Sequence, residues 1–197
     1  MTVNLVWGVV LALGLLGAIS SARADDLSYF EQQLRPFEHR PEFVAPGPAF
    51  NAKQCMKDKS IFSIPVSSAN PFTANIEKAM AGSAAEVGFK FTIWENQGQS
   101  SQWVQGMNAA INQKASLIDL LAGTDPRVLV PQVLAARAQH IPVIPSHYNG
   151  IERSDLVKKY ANADVPIDYV KAGALLVDWA MVQTKGHLNA LTLISTG

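Results

Sequence analysis

From residue 60 onward the apolar positions follow two alternating rhythms. Short unbroken apolar runs at 60–66 (SIFSIPV), 89–94 (FKFTIW), 116–122 (SLIDLLA) and 141–145 (IPVIP) are separated by longer segments whose apolar residues recur every three or four positions. An unbroken apolar run rich in β-branched residues predicts a strand covered on both faces, as in a parallel sheet. The intervening segments predict helices. Pro71–Val87 carries Ile76, Ala79, Met80, Ala84 and Val87 as a buried stripe, with Asn70 as N-cap, Pro71 at the first helical position and Gly88 as the closing residue. Ser101–Lys114 places Trp103, Met107, Ala110 and Ile111 on one face. Asp125 and Pro126 cap a third helix toward Gln139, which Pro131 bends or delays. The strand-then-helix unit recurs at intervals of roughly 25 to 30 residues, and right-handed crossovers put the helices on both faces of one sheet. The predicted fold class is α/β, a doubly wound parallel sheet.

The flanks read differently. Residues 1–24 are apolar from Leu5 to Ile19 and end in Ala22-Arg23-Ala24, the small-residue pattern of an export signal cleaved after Ala24. The apolar core is short for a membrane span, although the MTVN before it lacks the usual Lys or Arg. Residues 25–58 hold Pro36, Pro41, Pro46 and Pro48 and read as an extended leader, with Tyr29, Phe30, Leu34 and Phe37 in one or two amphipathic turns. Asn149 to Val165 reads as a polar loop. Tyr169 to Thr184 predicts a helix with Val170, Ala174, Val177 and Met181 on a buried stripe, and Leu188 to Ile194 a strand.

Composition narrows the function. The 197 residues hold 16 Lys and Arg against 16 Asp and Glu, so no basic excess suggests a nucleic-acid partner. The lone Cys55 has no internal disulfide partner and no ligand-spaced His, Asp or Glu nearby, which leaves it structural or incidental. No nucleophile elbow, phosphate loop, dinucleotide fingerprint or metal-spaced His pair is present, so an α/β enzyme is the weaker alternative.

Each predicted strand ends in a polar or aromatic cluster: Ser67-Ser68-Ala69-Asn70 before Phe72, Glu95-Asn96-Gln97-Gly98, Gly123-Thr124-Asp125, and Ser146-His147-Tyr148-Asn149. In a parallel sheet all four share the carboxyl edge, where open α/β sheets bind ligands. Amides and hydroxyls beside an aromatic ring suit a sugar, whose hydroxyls hydrogen-bond while its C–H face stacks. Each residue also has a plainer reading. Asn70 and Asp125 serve as helix caps, Phe72 packs under its helix, His147 is a hydrogen-bonded loop residue, and Trp94 and Trp103 are core.

Taken in order, SIPVSSANPF, FKFTIWENQGQ, SLIDLLAGTDP and HIPVIPSHYN resemble the amino-terminal lobe of the type I periplasmic binding proteins, the ribose/galactose-type sugar receptors of ABC importers. The resemblance covers Lys59 to Gly197. It implies two α/β lobes joined by crossing segments, no catalysis, no cofactor, and a small sugar held in the interlobe cleft. It also implies a periplasmic monomer that docks on an inner-membrane permease. The ligand-binding residues it points to are Ser68, Asn70, Phe72, Asn96, Asp125, His147 and Tyr148. Where ribose-type members have a second aromatic, this chain has Thr73, and where they have an Asp-Arg pair it has His147-Tyr148. On this reading 59–165 is the amino-terminal lobe and 166–197 a crossing segment with an incomplete start of the second, as in a truncated receptor. A periplasmic sugar sensor for chemotaxis or a sensor kinase has the same fold and cleft. A LacI-type repressor is opposed by the export signal and the lack of a basic helix-turn-helix before Ser60.

Overall fold

The computed structural model describes residues 27–45, 47–148 and 155–193. In chain order its elements are α1 (27–34), a 3-10 turn (Arg35–Phe37), α2 (Ala52–Cys55), β1 (Ser60–Pro65), α3 (Pro71–Val87), β2 (Lys90–Ile93), α4 (Ser100–Asn112), β3 (Leu117–Leu121), a 3-10 turn (Pro126–Leu129), α5 (Val130–Ala138), β4 (Val143–Ser146), α6 (Asp155–Tyr160) and α7 (Tyr169–Gln183). The described residues fall into two units, one within 45–169 and the other within 27–44 and 170–193.

The first unit holds the sheet. Its strands are all parallel in the order β2-β1-β3-β4, with Ile61 opposite Phe91 and Leu117, and Asp119 opposite Ser63 and Ile144. The order places β1 between β2 and β3. One face is apolar: Phe62, Ile64, Ile118, Leu120 and Val143 pack with Met107, Ala110 and Ile111 of α4 and Val133 and Ala136 of α5. Burial of a Val, Leu, Ile, Phe or Met side chain contributes roughly 1.5–3 kcal/mol. The other face is polar at its centre, where Ser63, Asp119 and Ser146 are buried with Glu77 of α3.

Local chemistry explains the element ends. Asn70 caps α3, its carboxamide oxygen accepting from Phe72 N at 2.9 Å, and Gly88 closes it at φ +91°. Pro131 falls in the first turn of α5, so the chain begins with a 3-10 turn and becomes α-helical only at Val130. Gly106 lies where α4 crosses Trp94. A Cβ there would sit 2.7 Å from the indole Cδ1, so the helix reaches the ring only because the residue has no side chain.

Four expectations are corrected. The buried face of α3 carries Thr73, Glu77 and Ala84 in place of an apolar stripe, because it meets the polar centre of the sheet. Residues 155–160, expected in a loop, form α6, and Val165 bridges to Ser146 beside the β4 edge. Residues 188–193 are not a strand, and Leu191 and Leu193 are exposed, since no neighbouring strand pairs with them among the described residues. Val170 and Val177 are likewise exposed, and α7 has no buried residue. In the second unit, Lys171 Nζ stands 4.9 Å from the centre of the Phe37 ring. No helix among the described residues is long and apolar enough to cross a membrane.

Gly106→Ala forces the Trp94 indole aside and destabilises the fold by about 1–3 kcal/mol, as overpacking typically does. Urea unfolding followed by tryptophan fluorescence measures this, and an unchanged midpoint would contradict the close approach.

Candidate functional site

The end of β1 is held by side chains from four directions. The carbonyl of Ile64 accepts from Thr124 Oγ1 at 2.9 Å, that of Pro65 from Asn96 Nδ2 at 2.9 Å, that of Val66 from Trp103 Nε1 at 3.1 Å, and that of Ser67 from Thr73 Oγ1 at 2.6 Å. Four consecutive carbonyls are thus bonded to groups from the β3 exit, the β2 exit, α4 and α3. A buried carbonyl left without a partner costs about 1–3 kcal/mol, so these bonds fix the loop that follows.

Asn96 is a fastening and not a surface group. It is fully buried, its amide donating to the carbonyls of Pro65 and Trp94 and its oxygen accepting from Gly98 N at 2.8 Å. Its backbone exchanges two bonds with Ser68: Ser68 N donates to Asn96 O at 2.9 Å, and Asn96 N donates to Ser68 Oγ at 3.0 Å. Asn96 and Ser68 therefore join the β1 and β2 exits, and the groups expected to meet ligand from these positions are engaged with backbone.

Two other predicted residues meet at the edge. Phe72, in the first turn of α3, is half exposed, and its ring lies edge-on to the His147 imidazole with centroids 6.1 Å apart at 74°. His147 follows β4 in the left-handed region, at φ +53°. Its backbone N donates to Val165 O at 2.9 Å, and its Nδ1 is buried with no partner among the described residues. Asn70 is exposed beside them, with its oxygen occupied by the cap.

Asp125 and Tyr148 form a second cluster, with Arg127 as its third member. Asp125 accepts from Arg127 N at 2.8 Å and from Arg127 Nε at 2.6 Å, and pairs with the guanidinium. Burial opposes ionisation of Asp125, but the Arg127 and Tyr148 hydrogen bonds outweigh it and hold the carboxyl below its ordinary range. Burial, followed by the Asp125 bond and charge, pushes the Tyr148 phenol up to about 12, so it stays a neutral donor. Sequence reasoning missed Arg127. The signal was its place two residues after a capping Asp, within reach of the same carboxylate. No three metal-ligating side chains gather among the described residues.

The edge thus carries an aromatic ring, an imidazole and an Asp-Arg-Tyr cluster around the ends of parallel strands. No protein-family model and no curated protein sequence matches the chain. Solved structures do. One is an ABC transporter solute-binding protein from Clostridium phytofermentas with bound L-rhamnose, 19% identical with a TM-score of 0.54, over 66% of this chain and 39% of that one. Another is the periplasmic binding protein component of the arabinose ABC transporter from Shewanella sp. ANA-3, bound to L-arabinofuranose, 17% identical with a TM-score of 0.54, over 65% and 41%. A third is the 5-methylthioribose transporter solute-binding protein from Thermotoga lettingae, 17% identical with a TM-score of 0.52, over 64% and 37%. The chain has the type I fold of the sugar ABC solute-binding proteins. It spans 37–41% of the length of these three solute-binding proteins.

Removing the Asn96 side chain leaves the Pro65 carbonyl and the Gly98 amide without that partner. Asn96→Ala is therefore expected to cost about 1–3 kcal/mol or more in stability. It is also expected to speed hydrogen exchange at the Gly98 amide, measured by NMR, and unchanged exchange there would remove Asn96 from this role.

Proposed function

We propose that residues 59–165 form the ligand-binding lobe of a periplasmic solute receptor that presents a small sugar to an ABC importer. The single observation that carries this reading is the pairing of Phe72 with His147, whose buried Nδ1 has no partner among the described residues. A half-exposed aromatic ring offers a face or edge to sugar C–H groups, and an unpaired imidazole nitrogen accepts or donates to a hydroxyl. Tyr148, Asp125 and Arg127 supply further donors and acceptors at the same sheet edge, and Asn70 keeps its exposed amide beside Phe72. The similarity to solute-binding proteins solved with rhamnose, arabinofuranose and 5-methylthioribose supports a sugar or sugar-like ligand.

The proposed mechanism is non-catalytic and uses no cofactor. A receptor of two lobes binds sugar on one lobe and closes the other over it, since ligand touches both only in the closed state and shifts the population toward it. The closed form docks on a membrane permease. In this scheme the protein is exported, cleaved after Ala24, and works as a monomer.

Saturation-transfer NMR of the full chain with L-rhamnose, L-arabinose and 5-methylthioribose tests the reading. At least one should receive transfer, and Phe72→Ala or His147→Ala should weaken binding of that sugar about tenfold, the loss of one aromatic or hydrogen-bonding contact. No transfer to any of the three, or binding unaffected by both substitutions, would overturn it.

A further inference from the structure

Between α3 and the sheet lies a group of buried polar side chains that the sugar site does not use. Ser63 of β1, Asp119 of β3, Ser146 of β4 and Glu77 of α3 are all buried, with Glu77 only 3% and Asp119 4% exposed. Ser63 Oγ stands 3.0 Å from Glu77 Oε1 and 3.5 Å from Asp119 Oδ2, and Ser146 Oγ stands 2.6 Å from Asp119 Oδ1. The four side chains form one line from the helix to the far strand.

The hydrogens along this line can be counted. Two short oxygen-to-oxygen contacts and one longer approach, Ser63 to Asp119, link the four groups, and with both carboxylates ionised only the two serine hydroxyls carry a hydrogen. Ser63 can then donate to Glu77 or to Asp119 but not to both, and the other contact sets a lone pair against a buried negative charge. One added proton on Glu77 fills the line: Glu77 donates to Ser63, Ser63 to Asp119, and Ser146 to Asp119. Neither carboxylate forms an ion pair among the described residues. The charges acting on Glu77 are Asp119 across Ser63 and Glu95 after β2, both negative.

We infer that Glu77 and Asp119 share a single carboxyl proton in one hydrogen-bonded chain with Ser63 and Ser146, and that this chain positions the helix carrying Phe72 against the strand carrying His147. The placement follows from the sequence neighbours. Glu77 is on the helix whose first turn holds Phe72, and Ser146 directly precedes His147. The positioning role rests on the proposed sugar site, but the proton does not.

Electrostatics agrees with the geometry. Burial, against the Ser63 bond and helped by Glu95 and Asp119, raises Glu77 to about 7, and burial raises Asp119 to about 6 against the bonds from Ser146 and Ser63. A carboxyl raised in the folded state binds more protons there than when unfolded. Its contribution is full below the unfolded value and is lost as pH climbs through the folded one. For Glu77 the window runs from 4.5 to about 7.

The test uses the full chain without sugar, so its failure is separable from failure of the sugar reading. Carboxyl 13C NMR should show one side-chain carboxyl titrating near 7, absent from Glu77→Gln, which keeps the shape and supplies a fixed hydrogen to Ser63. Between pH 5 and 8 the unfolding constant of the wild type should rise on the order of 100-fold, and that of Glu77→Gln at least fivefold less. Positioning is read from the backbone amides of Phe72 and His147, which should shift with the same titration in the wild type and not in the variant. A Glu77 carboxyl that titrates near 4.5 overturns the shared proton, even if the variant fails to fold. Amides of Phe72 and His147 that ignore the titration overturn the positioning role.

Discussion

The fold turns on the last carbonyls of β1. A strand that leaves a sheet runs out of ladder partners, and its buried carbonyls must find others. Here Ile64, Pro65, Val66 and Ser67 find Thr124, Asn96, Trp103 and Thr73. Because β1 lies between β2 and β3, those partners come from the exits of both neighbours and from the helices on both sides. A single bond of this kind contributes about 1 kcal/mol net, while the group left buried without it costs more, so the set behaves as one clasp. Parallel pairing had already brought every strand exit to one edge. The clasp makes that edge rigid at its centre and leaves the outer positions to face solvent.

That arrangement explains which parts were legible in the sequence. The strands were readable because burial on both faces leaves unbroken apolar runs, and α4 because Met107, Ala110 and Ile111 meet an apolar face. The α3 stripe was misread because periodicity reports hydrophobicity alone, whereas the partner surface of Glu77 and Thr73 is polar. Such a match shows only once Ser63 and Asp119 are opposite each other in register. The site divides the same way. Phe72, His147, Asp125 and Tyr148 were legible as chemistry at strand ends. Asn96 has the same composition signature, but its amide is spent on backbone, and a buried amide cannot be told from an exposed one by residue type. Arg127 was hidden because a guanidinium is most often a solvated surface group.

The two faces of the sheet divide the labour. On the apolar side, α4 and α5 contribute stability through close packing, and Gly106 shows how near that packing comes to the limit of contact. On the polar side, fewer and directional contacts hold α3. Apolar packing tolerates small slides, but a hydrogen-bonded chain has one register, so the polar side sets the position of α3 more sharply than burial alone does. The helix placed in this way is the one whose first turn carries Phe72.

His147 completes the argument. A non-glycine residue in the left-handed region costs roughly 1–2 kcal/mol, and a buried nitrogen without a partner costs about 1–3 kcal/mol more. Both penalties fall on one residue, next to the exposed ring of Phe72 and one step from Ser146, which is anchored to Asp119. Every polar group in the clasp is satisfied, and His147 Nδ1, buried with no partner among the described residues, lies just outside it, beside the Phe72 ring. Under the proposed function this is the reason to look for the ligand there and not over Asn96, whose amide is spent on backbone.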